Sequence, residues 1–93
     1  MLPQNNIPVQ MFPVVDTTGN TRPLAFRYED ENHAIQTVKA IRTLTAHECN
    51  FVGQRCIKCV CKAMVTDERE REILFELKYL IESHRWIFVK MLN

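Results

Sequence analysis

Residues 55–91 read RCIKCVCKAMVTDEREREILFELKYLIESHRWIFVKM. If the run from Cys56 to Val65 is extended, Cys59, Cys61, Ala63 and Val65 share one face, and Lys58, Val60, Lys62 and Met64 the other. The run from Ile73 to Ile81 divides in the same way, into Ile73, Phe75, Leu77, Tyr79 and Ile81 against Leu74, Glu76, Lys78 and Leu80. A loop at 67–71 sets Lys62 opposite Glu76 and Cys61 opposite Leu77, so small sulfur residues meet large apolar ones and a cation meets a carboxylate. A turn at 82–85 then brings Ile81 to Trp86 and Tyr79 to Phe88. Three consecutive antiparallel strands result, with Phe75, Leu77, Tyr79, Ile81, Trp86 and Phe88 as an aromatic-rich core face.

The same residues hold a competing helix. Glu70 to Glu82 is rich in good helix formers, and Ile73, Leu74, Leu77, Leu80 and Ile81 make a stripe of helical spacing. Phe75 and Tyr79 fall off that stripe, however, and Trp86-Ile87-Phe88-Val89 would have to follow without a helix stop. The strand reading is preferred. Its reverse face carries Leu74, Leu80, Ile87, Val89 and Met91, which is more apolar than a solvated surface needs, so either the N-terminal strands are expected to cover it or it serves self-association with another chain.

Before this stretch, residues 1–6 are expected to be a flexible lead-in to one β-rich domain at 7–93. Residues 7–29 read as a β-hairpin around the turn signal Asp16-Thr17-Thr18-Gly19-Asn20, with Pro8 and Pro13 confining the first strand to an edge or a bulge. Residues 34–45 are balanced between helix and strand. Their density of β-branched side chains (Ile35, Thr37, Val38, Ile41, Thr43, Thr45) favours the strand. Residues 45–54 read as a connection. The expected fold is all-β: five or six antiparallel strands in a twisted sheet or a small open barrel.

The chain has 93 residues, 46% of them hydrophobic, and 12 basic side chains against 11 acidic. That is an ordinary globular composition without the basic excess of tight, sequence-independent nucleic-acid binding. No charged segment leads into an apolar one at the start, and no run of about 18 apolar residues occurs, so a cytoplasmic location with no membrane contact is expected.

Chemistry is sparse. Four cysteines at 49, 56, 59 and 61 invite a zinc site, but Cys56 and Cys59 would face opposite sides of a strand, and Cys59 with Cys61 would lie on the core face. Without a secretory signal, reduced buried thiols are the expectation, with no metal and no cofactor. His33, His47 and His84 are scattered, no phosphate-cradling or nucleophile motif is present, and only Gly19 and Gly53 supply glycine. No catalytic residue is assigned and no enzymatic activity is expected. Binding remains, with Arg27, Arg55, Lys58, Lys62, His84 and Arg85 as candidate ligand residues, and Tyr28 or Trp86 as a stacking plane.

The segments PLAFRYEDENHAIQTVKAI and KCVCKAMVTDEREREILFELKYLIESHRWIFVKM, over residues 22 to 91, resemble a group of uncharacterised short β-rich proteins of Firmicutes and their phages and mobile elements. His84 departs from the cysteine or lysine of that pattern, and the connection at 66–71 is longer and more charged. The resemblance implies strands and a phage-encoded origin in a host cytoplasm, and it carries over no functional residue. The expected function is a small non-enzymatic binding protein that sequesters a nucleotide-like signal or blocks a host defence protein. The alternative is a nucleic-acid-binding accessory module in DNA repair or replication.

Overall fold

The computed structural model describes residues 2–66 and 69–93. Seven strands occur in chain order: β1 (Ile7–Val15), β2 (Thr21–Glu29), β3 (Ile35–Val38), β4 (Arg42–Phe51), β5 (Gln54–Thr66), β6 (Glu70–Leu80) and β7 (Arg85–Met91). They form one antiparallel sheet in the order β3-β2-β1-β7-β6-β5-β4. The sheet twists until the β2–β3 end approaches β4 and β5, where the Ile41 amide donates to the Leu24 carbonyl at 3.0 Å. No ladder joins β3 to β4, so the barrel stays open.

The all-β expectation holds, with one strand more than foreseen. Residues 45–51, read as a connection, belong to β4, an edge strand that pairs only with β5. Residues 35–38 form a short strand, and a bend at 39–41 leads into β4.

Both expected registers are two residues out. Cys61 stands opposite Phe75 and Lys62 opposite Leu74, while Tyr79 meets Trp86 and Leu77 meets Phe88. The first connection is shorter than expected, with Asp67 and Glu68 outside the described residues, and the second keeps its four residues but starts one position earlier, at Ile81. Because side chains alternate with period two, an offset of two leaves the strand side chains before the β7 bulge on their expected faces, while Ile81, expected on the core face, falls in the β6–β7 turn. Cys59, Cys61 and Ala63 therefore still give room to Leu77, Phe75 and Ile73.

The core lies inside the curl. Phe26, Phe75 and Phe88, from three strands, pack with ring centres 5.8–6.0 Å apart, and all three are fully buried. Leu2 packs against this core, and the Asn6 amide donates to the Val89 carbonyl, so the lead-in residues from Leu2 onward are attached to the sheet.

The reverse face needs two corrections. Between Glu76 and Leu77 the register shifts, leaving Val89 as an extra residue in β7, and beyond this bulge Met91 swings to the core side opposite Phe75. Leu80, Ile87 and Val89 do occupy the reverse face, but the chain itself buries them in a second cluster with Cys56, against which Cys49 and Phe51 pack. Leu74 is half-buried, and its amide is capped by the Asn93 side chain. Little of the expected self-association face is left bare.

The thiol expectation also changes. Cys49 stands directly opposite Cys56 in the β4–β5 ladder, with Cα atoms 5.2 Å apart, and the two form a disulfide. The pairing was not foreseen because residue 49 was not read as part of a strand. Cys59 and Cys61 are free and buried, and burial raises their thiol pKa values to about 11 and about 12.

Candidate functional site: a groove where β1 changes partner

β1 divides its hydrogen bonding between two neighbours. Ile7, Pro8 and Val9 pair with Phe88, Ile87 and Trp86 of β7, whereas Gln10 to Val15 pair with β2. Pro8 and Pro13 cannot donate to a ladder, and the β1–β2 register shifts between Phe12 and Pro13. The strand thus leaves β7 after Val9, and a groove of about 440 Å³ opens beside the β6–β7 turn. Val9, Met11, Pro13 and Val15 wall it on one side; Tyr79, His84, Arg85 and Trp86 on the other.

The turn residues are held in place. His84 adopts a left-handed backbone, φ 57°, and its amide donates to the Leu80 carbonyl at 2.9 Å. The Tyr79 hydroxyl and His84 Nδ1 are hydrogen-bonded at 2.9 Å; when the hydroxyl is the donor, the neutral ring carries its proton on Nε2. The Tyr79 ring lies 4.9 Å from that of Trp86. Arg85 is exposed and makes no ion pair with a described residue. The groove thereby offers an unpaired guanidinium, an imidazole and aromatic surface, the chemistry that suits a planar anion.

Of the expected ligand residues, only His84 and Arg85 come together here. Arg27 lies on the β1–β2 hairpin, where it donates to Gln10 Oε1 at 3.0 Å and covers the Phe12 ring. Arg55 gives two hydrogen bonds, of 2.6 and 2.9 Å, to Glu48 Oε1. Lys58 and Lys62 stand 3.8 and 3.7 Å from Glu76 and Glu72. These four cations are dispersed and locally neutralised or stacked, so they form no common anion surface. Tyr28 and Trp86 are each only 5% exposed, which makes Tyr79 the more accessible ring. Tyr79 and the proline-bearing wall were missed as site residues. The two prolines were the signal, since they forecast where β1 leaves a neighbour.

A second cavity, of about 330 Å³, lies beside Tyr28 and the turn Glu29-Asp30-Glu31. Asp30 is occupied within that turn, accepting from the Asn32 and Ala34 amides and the Gln36 side chain. Among the described residues, no three His, Cys, Asp or Glu side chains are placed to hold a metal ion, and no helix is long and apolar enough to cross a membrane. Compared with protein-family models, curated proteins and solved structures, the chain matches none.

Proposed function

We propose that this chain is a non-enzymatic binding protein that sequesters a small planar anion of nucleotide type in the β1/β6–β7 groove. The observation that carries the reading is the convergence of Tyr79, His84, the unpaired Arg85 and the edge of Trp86 on one groove. A base can lie against Tyr79 while a phosphate meets Arg85 and His84 Nε2. Among the described residues, no carboxylate or cysteine lines the groove, so they supply no general base of that kind and no thiol nucleophile there. One chain supplies the whole groove, and binding needs no second copy.

Trp86 is the sole tryptophan, so its fluorescence reports on the groove directly. Titration with mono-, di- and cyclic nucleotides is expected to quench it saturably, with Arg85→Glu weakening the apparent affinity by at least about tenfold. Mass spectrometry of whatever heat releases from the purified protein identifies the ligand. Absence of saturable quenching at millimolar nucleotide, or quenching unchanged in the Arg85→Glu variant, defeats the reading.

A further inference from the structure

The four cysteines, grouped within thirteen residues, fall into two chemically distinct pairs. Cys59 and Cys61 sit among core side chains, where burial keeps them protonated and out of reach of reagents. Cys49 and Cys56 lie on the outer face near the end of the β4–β5 hairpin, two ladder positions from its turn. Cys49 is half-buried and Cys56 fully buried. His47 and Lys58 form the next pair on the same face.

The bridge also holds a cover in place. Cys49 and Phe51, both on β4, pack against the cluster of Cys56, Leu80, Ile87 and Val89, and Lys78 Nζ sits 4.5 Å from the centre of the Phe51 ring. Besides the bridge and that packing, this end of the edge strand is held, among the described residues, by its ladder to β5 and the exposed Arg55–Glu48 pair, and exposed pairs contribute little. Apart from the backbone turn at 52–53, the sulfur–sulfur bond is the covalent tie between the cover and the sheet beneath it.

We propose that Cys49–Cys56 is a reversible redox site, opened by a dithiol reductant, whose opening releases Phe51 from the outer apolar cluster while the inner core stays folded. Cys49, half-buried beside the fully buried Cys56, is the more reachable half of the bridge. A thiolate of the reductant attacks it, forming a mixed disulfide and expelling the Cys56 thiolate, which takes up a proton. The reductant's second thiolate then attacks the reductant sulfur of the mixed disulfide, closing its own disulfide and expelling Cys49, which is protonated in turn. Two electrons and two protons pass from the dithiol to the protein; reoxidation is the reverse exchange, in which the disulfide form of the reagent takes them back. The uncovered surface is Leu80, Ile87 and Val89, so the same site sets how much apolar surface the chain presents.

The test uses the full chain, kept native, with and without dithiothreitol, followed by iodoacetamide, peptide mapping and hydrogen exchange. After reduction, alkylation is expected at Cys49 and Cys56 alone. Amide protection at 49–56 should fall by at least about tenfold, while protection around Phe75 and Phe88 persists. Binding of an apolar dye should rise, and Phe51→Ala in the oxidised protein should raise it equally. Alkylation of all four cysteines together would mean global unfolding and overturns the proposal. So does a bridge that resists the reductant, or one that opens without loss of protection at 49–56. Nucleotide binding in the groove is read separately by Trp86 fluorescence, so either proposal can fail alone.

Discussion

Glu76 Oε2 lies 3.7 Å from Lys78 Nζ on the outer face of the sheet, and Lys58 Nζ lies 3.8 Å from the other carboxylate oxygen. Glu76 is 5% exposed, the one buried charged residue among those described, and Lys78 is largely buried beside it. Removing one charge from such a group leaves its partners desolvated without compensation. Glu76→Gln keeps the shape and is expected to cost about 2 kcal/mol, a fall in Tm of roughly 10 °C for a domain of this size. A fall below about 2 °C would show that water serves the lysines instead.

The β4–β5 turn is strained. Val52 and Gly53 both have positive φ, 50° and 78°, as a two-residue hairpin turn demands. Glycine adopts this freely, but a β-branched residue does so at a cost of about 1–2 kcal/mol. The Val52 side chain is 86% exposed and offers little packing in return. Val52→Asn is expected to raise stability by about 1 kcal/mol in denaturant unfolding, with an unchanged slope. No gain would mean that the turn accepts valine without strain.

Val52 also shows why β4 was hard to read. An Asn-Gly pair would have announced a hairpin, whereas Val-Gly announces nothing. His47, Glu48 and Asn50 lie on an edge strand exposed along most of its length, so the apolar alternation that exposed β5, β6 and β7 is missing. The faces of β5–β7 were legible because period two survives an error of two in register. Met91 was misplaced because a bulge leaves no mark in a sequence. His84 and Arg85 were legible as candidates, but the groove was not, since it depends on β1 exchanging β7 for β2. The disulfide was illegible for the same reason as β4.

Two polar turns contribute to the acid sensitivity of the fold. Asp16 accepts from the Thr18 hydroxyl at 2.8 Å and from the Thr18 and Asn20 amides, and these bonds, the Thr18 hydroxyl first, hold its carboxyl below the ordinary 3.8. The Gln36 side chain and then the Ala34 amide do the same for Asp30. A folded-state value below the unfolded one favours the charged form on folding. The contribution is therefore complete above the ordinary value and is lost as pH falls through the lowered one. Tm is expected to decline from about pH 4 downward. The double variant Asp16→Ala, Asp30→Ala should start lower at neutral pH and decline less steeply. Parallel acid limbs in the two proteins would refute the assignment.

His84 combines a structural cost with the binding role proposed for it, and the two can be separated. Its φ of 57° lies where glycine is at ease, so His84→Gly relieves backbone strain while loosening the unfolded chain. These effects oppose one another, and the Tyr79 hydroxyl, losing its partner at 2.9 Å, can turn to solvent. Stability is expected to stay within about 1 kcal/mol of the parent. Nucleotide affinity is expected to fall several-fold, because the imidazole donor is gone and Tyr79 is no longer fixed beside Trp86. His84→Ala removes the same donor but leaves a non-glycine residue at positive φ, so it should bind as weakly and be less stable than His84→Gly. Equal stability of the two variants would remove the strain argument. Affinity retained in both would remove His84 from the groove's binding surface and leave Arg85 as its only anion contact.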